Sequence, residues 1–95
     1  MKTADATPYE IGKNYLIRTV TMIQAGRLKE VYEKELVLEN ASWVADTGRF
    51  GSALEHGIEK NNDCEIEMFQ NNVIIGRGSI IDATIYNFSL PTQSK

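Results

Sequence analysis

From Tyr15 to Glu39, runs of strand-forming residues follow one another with only short stretches between them. Parallel strands need a crossover of a dozen or more residues, so such spacing admits antiparallel neighbours joined by tight turns. From Tyr15 to Gln24 the chain is rich in Ile, Val, Thr and Tyr, which fit a pleated surface. Ala25-Gly26 interrupts that run, and a second strand is expected from Arg27 to Tyr32. A charged turn around Glu33, Lys34 and Glu35 leads into Leu36-Val37-Leu38-Glu39, which reads as a half-buried strand. Cys64 to Phe69 sets Ile66 and Met68 against Glu65 and Glu67, and Gln70-Asn71-Asn72 makes a turn. Val73-Ile74-Ile75 and Ser79 to Tyr86 then give two more strands around Gly76-Arg77-Gly78. Five or six short, strongly bent strands with one helix at most describe a small β-barrel or half-open barrel.

The pattern breaks after Ala45. Asp46 and Thr47 are expected helix caps, and Phe50, Ala53 and Leu54 fall at helical spacing. Gly57 is expected to end the helix in the left-handed conformation that glycine tolerates best. Gly48 and Gly51, expected inside it, weaken it by about 1 kcal/mol each relative to alanine, so the expectation is a short helix or an irregular turn. Residues 58–63 read as a polar loop, residues 1–12 as an irregular N-terminal arm and residues 88–95 as a flexible tail.

At 95 residues the chain is one domain, 1–95. No apolar run approaches the ~18–20 residues of a membrane span. Met1 to Ile11 is polar and carries Asp5 and Glu10, unlike a secretory leader. A single cysteine, Cys64, leaves no partner for an intrachain disulfide. Together these features lead to the expectation of a soluble domain in the cytoplasm. A domain this small buries only roughly 60–70% of its unfolded surface, which makes oligomerisation a natural supplement. The net charge of −3 excludes a uniformly basic nucleic-acid binder, but the charge is unevenly spread. Residues 1–29 sum to +3, residues 30–70 to −7 and residues 71–95 to +1.

Two stretches carry a resemblance. The first is Gly26-Arg27-Leu28-Lys29-Glu30-Val31, a turn, and Leu36-Val37-Leu38-Glu39-Asn40-Ala41; the second is Ile74-Ile75-Gly76-Arg77-Gly78-Ser79-Ile80-Ile81. In order and spacing they resemble the two-part signature of the Sm and Sm-like proteins over residues 15–41 and 73–86, and most resemble the small divergent Sm-like proteins of phage, including marine cyanophage. That resemblance implies a strongly bent five-stranded antiparallel Sm-like (SH3-like) barrel, with the helix or irregular insertion between the two motifs. It further implies head-to-tail pairing of barrel edges into a ring of five to seven subunits. Ser79 to Tyr86 would supply one edge and Cys64 to Ile75 the other, with the two turns meeting at a central pore. The sequence departs from the family at one point. The family's first loop carries an Asp and a base-contacting Asn, whereas Tyr32-Glu33-Lys34-Glu35 is one residue shorter and has neither.

The expected nucleic-acid site consists of Arg77, Gly76, Gly78, Tyr32 and Lys34. An arginine can stack on a base or fork onto a phosphate. Its plainer role is to hydrogen-bond loop carbonyls. Gly76 and Gly78 are expected as requirements of a tight turn, with a positive φ at one of them. Tyr32 can stack on a base or sit at the barrel rim; Lys34 can meet phosphate or remain solvated. Glu33 and Glu35 beside the same turn oppose phosphate.

Trp43 and Phe50 read as core or interface. Arg27 and Arg49 can form a second basic surface, though pairing with neighbouring carboxylates is the simpler reading. His56 lacks a partner at metal-ligand spacing, the acidic group Glu59, Asp63, Glu65 and Glu67 lacks a calcium-loop pattern, and the acids near Cys64 raise rather than lower a thiol pKa. No catalytic constellation, metal site or cofactor motif stands out. The expected function is a ring-forming Sm-like protein that binds single-stranded RNA or DNA at its pore and assists nucleic-acid processing. The alternative is a phage-type protein-interaction or assembly module that binds no nucleic acid.

Overall fold

The first four strands pair in chain order, whereas the fifth pairs with the third and the sixth with the first, so the short connections on either side of the fifth strand make no hairpin. The computed structural model describes residues 7–95. Its strands are β1 (Asn14–Thr19), β2 (Ile23–Val31), β3 (Glu35–Asp46), β4 (Glu65–Met68), β5 (Val73–Gly76) and β6 (Ile80–Ile85). One helix, α1 (Phe50–His56), follows β3, and a single 3-10 turn (Arg77–Ser79) joins β5 to β6. Every pairing is antiparallel, in the order β4-β3-β2-β1-β6, and β5 lies against the first half of β3. The architecture is therefore a mainly β antiparallel sheet with one short helix. It has six strands, within the five or six that the runs suggest and one more than the five-stranded barrel the resemblance implies, and the turn at 70–72 divides the pairing along β3 between β4 and β5. Of the expected barrel or half-open barrel, the closed form is not what is found: among the described residues β6 pairs with β1 alone and the sheet remains open.

β1 is covered on both faces, which explains why its buried residues Tyr15-Leu16-Ile17 run consecutively, Tyr15 and Ile17 in one cluster and Leu16 in the other. Tyr15, Ile17, Leu28, Leu36, Leu38 and Ile75 pack together on one face. Leu16, Ala25, Val44, Ile58, Ile66 and Tyr86 pack on the other, beneath α1 and the chain after β6. The β2–β3 pairing is irregular at two places, between Leu28 and Glu30 and at Gly26. At the second, two residues of β3, Asn40 and Ala41, fall between the paired positions that flank Gly26, and Asn40 takes a φ of 50°. A Cβ at Gly26 would come within 3.1 Å of Ala41 and Leu38 side-chain carbons. Ala25-Gly26, expected as an interruption, instead lies within a continuous β2.

The break lies earlier. Val20-Thr21-Met22 is the turn between β1 and β2. Thr19 closes it, its N–H and Oγ1 both donating to Met22 O at 2.7 and 3.1 Å while Oγ1 accepts from Met22 N–H at 3.1 Å. Asp46 caps a turn rather than the helix, accepting from Gly48 N–H at 2.7 Å, and α1 begins without a side-chain cap. Gly48 precedes the helix at φ 60°, where a Cβ would stand 2.5 Å from Asp63 Cβ. Gly57 does end α1 at positive φ (87°), but ψ of 151° lies outside the left-handed helical region expected for it. Ile58, expected in a polar loop, is fully buried, and its N–H donates to the Tyr86 hydroxyl at 3.0 Å.

The two termini are held by specific bonds. Of the arm expected over residues 1–12, residues 1–6 lie outside the described residues. From residue 7 onward it is irregular, with Tyr9 edge-on to Tyr15 at 5.7 Å. Residues 88–95, expected as a flexible tail, fold back onto β4. Lys95 exchanges backbone bonds with Ile66 at 2.9 and 3.0 Å, and Met68 N–H donates to Ser94 Oγ at 2.9 Å.

Candidate nucleic-acid interface

The register of β3 against β5 pairs Glu35 with Gly76, which brings the β2–β3 turn and the β5–β6 turn to the same end of the sheet. All five expected site residues therefore lie together. Arg77 N–H donates to Lys34 O at 2.8 Å, and its Nη1 donates to Tyr32 O at 2.9 Å. The guanidinium carbon stands 5.4 Å from the centre of the Tyr9 ring, within cation–π range. Arg77 thus performs the plainer of its two expected roles, holding a loop carbonyl. The other guanidinium N–H groups have no protein partner among the described residues.

The surroundings of this arginine are mixed in sign. Tyr32 is exposed, and its hydroxyl donates to the Glu30 carboxylate; that bond and the Glu30 charge hold the phenol above its ordinary pKa, with Glu35 adding to the effect. Lys34, Glu33 and Glu35 are exposed on the same turn. Ser79 Oγ donates to Gly76 O at 2.7 Å and closes the 3-10 turn. The positive φ expected at Gly76 or Gly78 occurs at neither; Gly76 sits at φ −68°. A short 3-10 turn is reached through ordinary dihedrals, so its backbone requires no glycine. Open space surrounds the position a Cβ would take at either residue.

Tyr9 is the member that sequence reasoning missed. An isolated aromatic in an otherwise polar arm was the available signal, since such a ring needs an apolar surface to settle on. The remaining candidates lie elsewhere. Trp43 and Phe50 are 39% and 37% exposed, so neither belongs to the core. Phe50 instead lies 5.6 Å from the guanidinium carbon of Arg18, which is forked onto Asp82. Arg27 bonds Glu39 at 2.8 Å and holds that carboxyl below its ordinary pKa. His56 is exposed beside Glu55. Cys64 is buried, and burial is the main cause of its raised thiol pKa; Lys95 opposes the shift while Asp46 and Asp63 add to it. Among the described residues no group of three or more His, Cys, Asp or Glu is arranged to hold a metal ion. No helix among them is long and apolar enough to cross a membrane.

The borders of the sheet complete the geometry. The outer edge of β5 has no backbone partner among the described residues, and neither has that of β6. Tyr86 N–H bonds Asn14 O, so by antiparallel alternation the backbone groups of Ala83 and Ile85 point away from β1, toward the open border. Ile74 on β5 is 71% exposed and Ile81 on β6 is 62% exposed. The expected β4 edge is different, since residues 94 and 95 already occupy it. No protein-family model, curated protein or solved structure matches this chain.

Proposed function

We propose that this chain is a ring-forming Sm-like subunit whose Arg77 end binds single-stranded RNA or DNA in the assembled pore and assists nucleic-acid processing. The observation that carries this reading is the meeting of Arg77, Tyr32 and Lys34 on two adjoining turns of a bent sheet whose β5 and β6 outer edges have no backbone partner among the described residues. An open strand edge is a template for another strand, and pairing β6 of one copy with β5 of the next is heterologous, so repetition closes a ring when the angle permits. It would also cover Ile74 and Ile81, two large apolar side chains otherwise in water. A ring of five to seven copies then sets as many Arg77 side chains around one opening.

Within that ring the open space at Gly76 and Gly78 lets a strand approach the backbone closely. Stacking on Arg77 or Tyr32 supplies roughly 1–3 kcal/mol per base, and repetition converts weak sites into avidity. Arg77 and Lys34 would give binding a salt dependence through their phosphate contacts, and Glu30, Glu33 and Glu35, which oppose phosphate, would make it shallower. The reading requires no cofactor and no catalytic residue, and it places the protein in the cytoplasm, that of the host if the chain is phage-encoded.

Fluorescence anisotropy with a labelled mixed-sequence single strand tests it. Arg77→Ala should weaken binding at least about tenfold while the oligomer mass stays the same; unchanged binding would remove Arg77 from the site. The engagement of Arg77 by Tyr32 O and the nearby glutamates favour a second reading, an assembly module that pairs with other proteins. An oligomer that binds neither RNA nor DNA, while a control binder does, selects that reading.

A further inference from the structure

β4 and β5 pair with the same side of β3, the other side being taken by β2, so their outer edges form one bent border. Half of that border is open and half is occupied by the chain itself. Lys95 exchanges both backbone bonds with Ile66, Ser94 Oγ takes the Met68 N–H, and the Lys95 ammonium donates to Glu59 O and Asn61 O at 2.7 Å each. Pro91 is buried and Leu90 packs on the core cluster beneath α1, which fixes the direction from which the segment arrives. The incoming β6 of a neighbour has six residues, whereas β5 offers four. A seam on β5 alone therefore leaves part of β6 without backbone partners.

We propose that residues 92–95 are a displaceable edge strap that competes with the β6 strand of a second copy for the outer edge of β4. The inference rests on the ring reading above and assigns its regulation. With the strap seated, the seam between copies is limited to β5 and the association is weak and reversible. With the strap released, the seam extends onto β4 around Ile66 and Met68. Covering an edge with a chain segment is also how sheet proteins avoid uncontrolled strand addition, so the strap guards against open-ended growth.

Two variants test this: a chain ending at residue 91, and Lys95→Pro, which removes the N–H given to Ile66 O and leaves the length unchanged. Hydrogen exchange reads the strap directly. The Ile66 and Met68 amides should exchange slowly in the wild type and at least about tenfold faster in either variant held at a concentration where it is monomeric. Equal rates would overturn the strap. Native mass spectrometry across a dilution series reads the competition. Both variants should stay assembled at concentrations about tenfold lower than the wild type, as extra cross-strand pairs predict. An unchanged or higher dissociation concentration would overturn the competition. If neither wild type nor variants assemble while the exchange difference is present, it is the ring reading that fails.

Discussion

Removing one hydroxyl at Tyr86 should loosen the whole segment that bridges β3 and β4. The Tyr86 ring is 3% exposed, and its oxygen accepts the backbone N–H of Ile58, a residue with no exposed surface. In Tyr86→Phe the ring stays and packs as before, but that buried N–H loses its partner. Leaving a buried donor unsatisfied costs about 1–3 kcal/mol. For a domain of this size each kcal/mol lowers the melting temperature by roughly 4–8 °C, so the expected fall is about 4–20 °C. Urea unfolding followed by tryptophan fluorescence gives the free energy, and an unchanged m-value confirms that the unfolded state is the same. Neighbouring geometry sharpens the expectation, because a Cβ at Gly57 would stand 3.3 Å from the same hydroxyl and 3.1 Å from Phe88. The pocket is thus too tight for the freed N–H to find solvent without displacing packed groups. A loss below about 0.5 kcal/mol would refute the reasoning and mean that the segment readjusts to satisfy the donor.

Three further outcomes are expected. Gly48→Ala and Gly51→Ala should have opposite signs: the first meets Asp63 at positive φ and should cost about 1–3 kcal/mol, while the second lies in open space within α1 and should gain up to about 1 kcal/mol. Thermal melts of the two variants side by side check this. The Cys64 thiol, raised by burial, contributes stability that is complete below the ordinary thiol pKa of about 8.5 and is lost as pH rises through its folded value. Stability measured from pH 8 upward should therefore fall less steeply in Cys64→Ala than in the wild type, and a parallel fall would contradict the assignment. A thiol reagent at neutral pH should label wild-type Cys64 slowly until denaturant is added, and rapid labelling of the folded protein would show that the thiol is accessible.

The parts of the fold legible in the sequence are those governed by local alternation. Glu65-Ile66-Glu67-Met68 announced its strand by alternation, Leu36-Val37-Leu38 announced a strand by its apolar run but is buried throughout rather than half-buried, and the turns at Glu33-Lys34 and Asn71-Asn72 announced their breaks. What local pattern misassigned depends on distant atoms. Val20-Thr21-Met22 contains no glycine, proline, asparagine or aspartate, and its turn is closed by the Thr19 side chain. Gly26 is there because Leu38 and Ala41 press against it from β3, a reason invisible within its own strand. The meeting of Tyr32, Lys34 and Arg77 followed from the order of the two motifs, whereas the dihedrals of Gly76 and the docking of Tyr9 did not. Residues 94 and 95 carry no strand pattern, and their position comes from distant groups, the edge of β4 and the Glu59 and Asn61 carbonyls that accept from the Lys95 ammonium.

In the proposed ring, the outer edges of β5 and β6 pair between copies and set the Arg77 turns around one opening. Native mass spectrometry of the purified chain at micromolar concentration and moderate ionic strength, with and without a short mixed-sequence RNA, tests it most directly. The expected result is one closed oligomer of five to seven subunits that gains the mass of the RNA. A chain that stays monomeric under those conditions would contradict it.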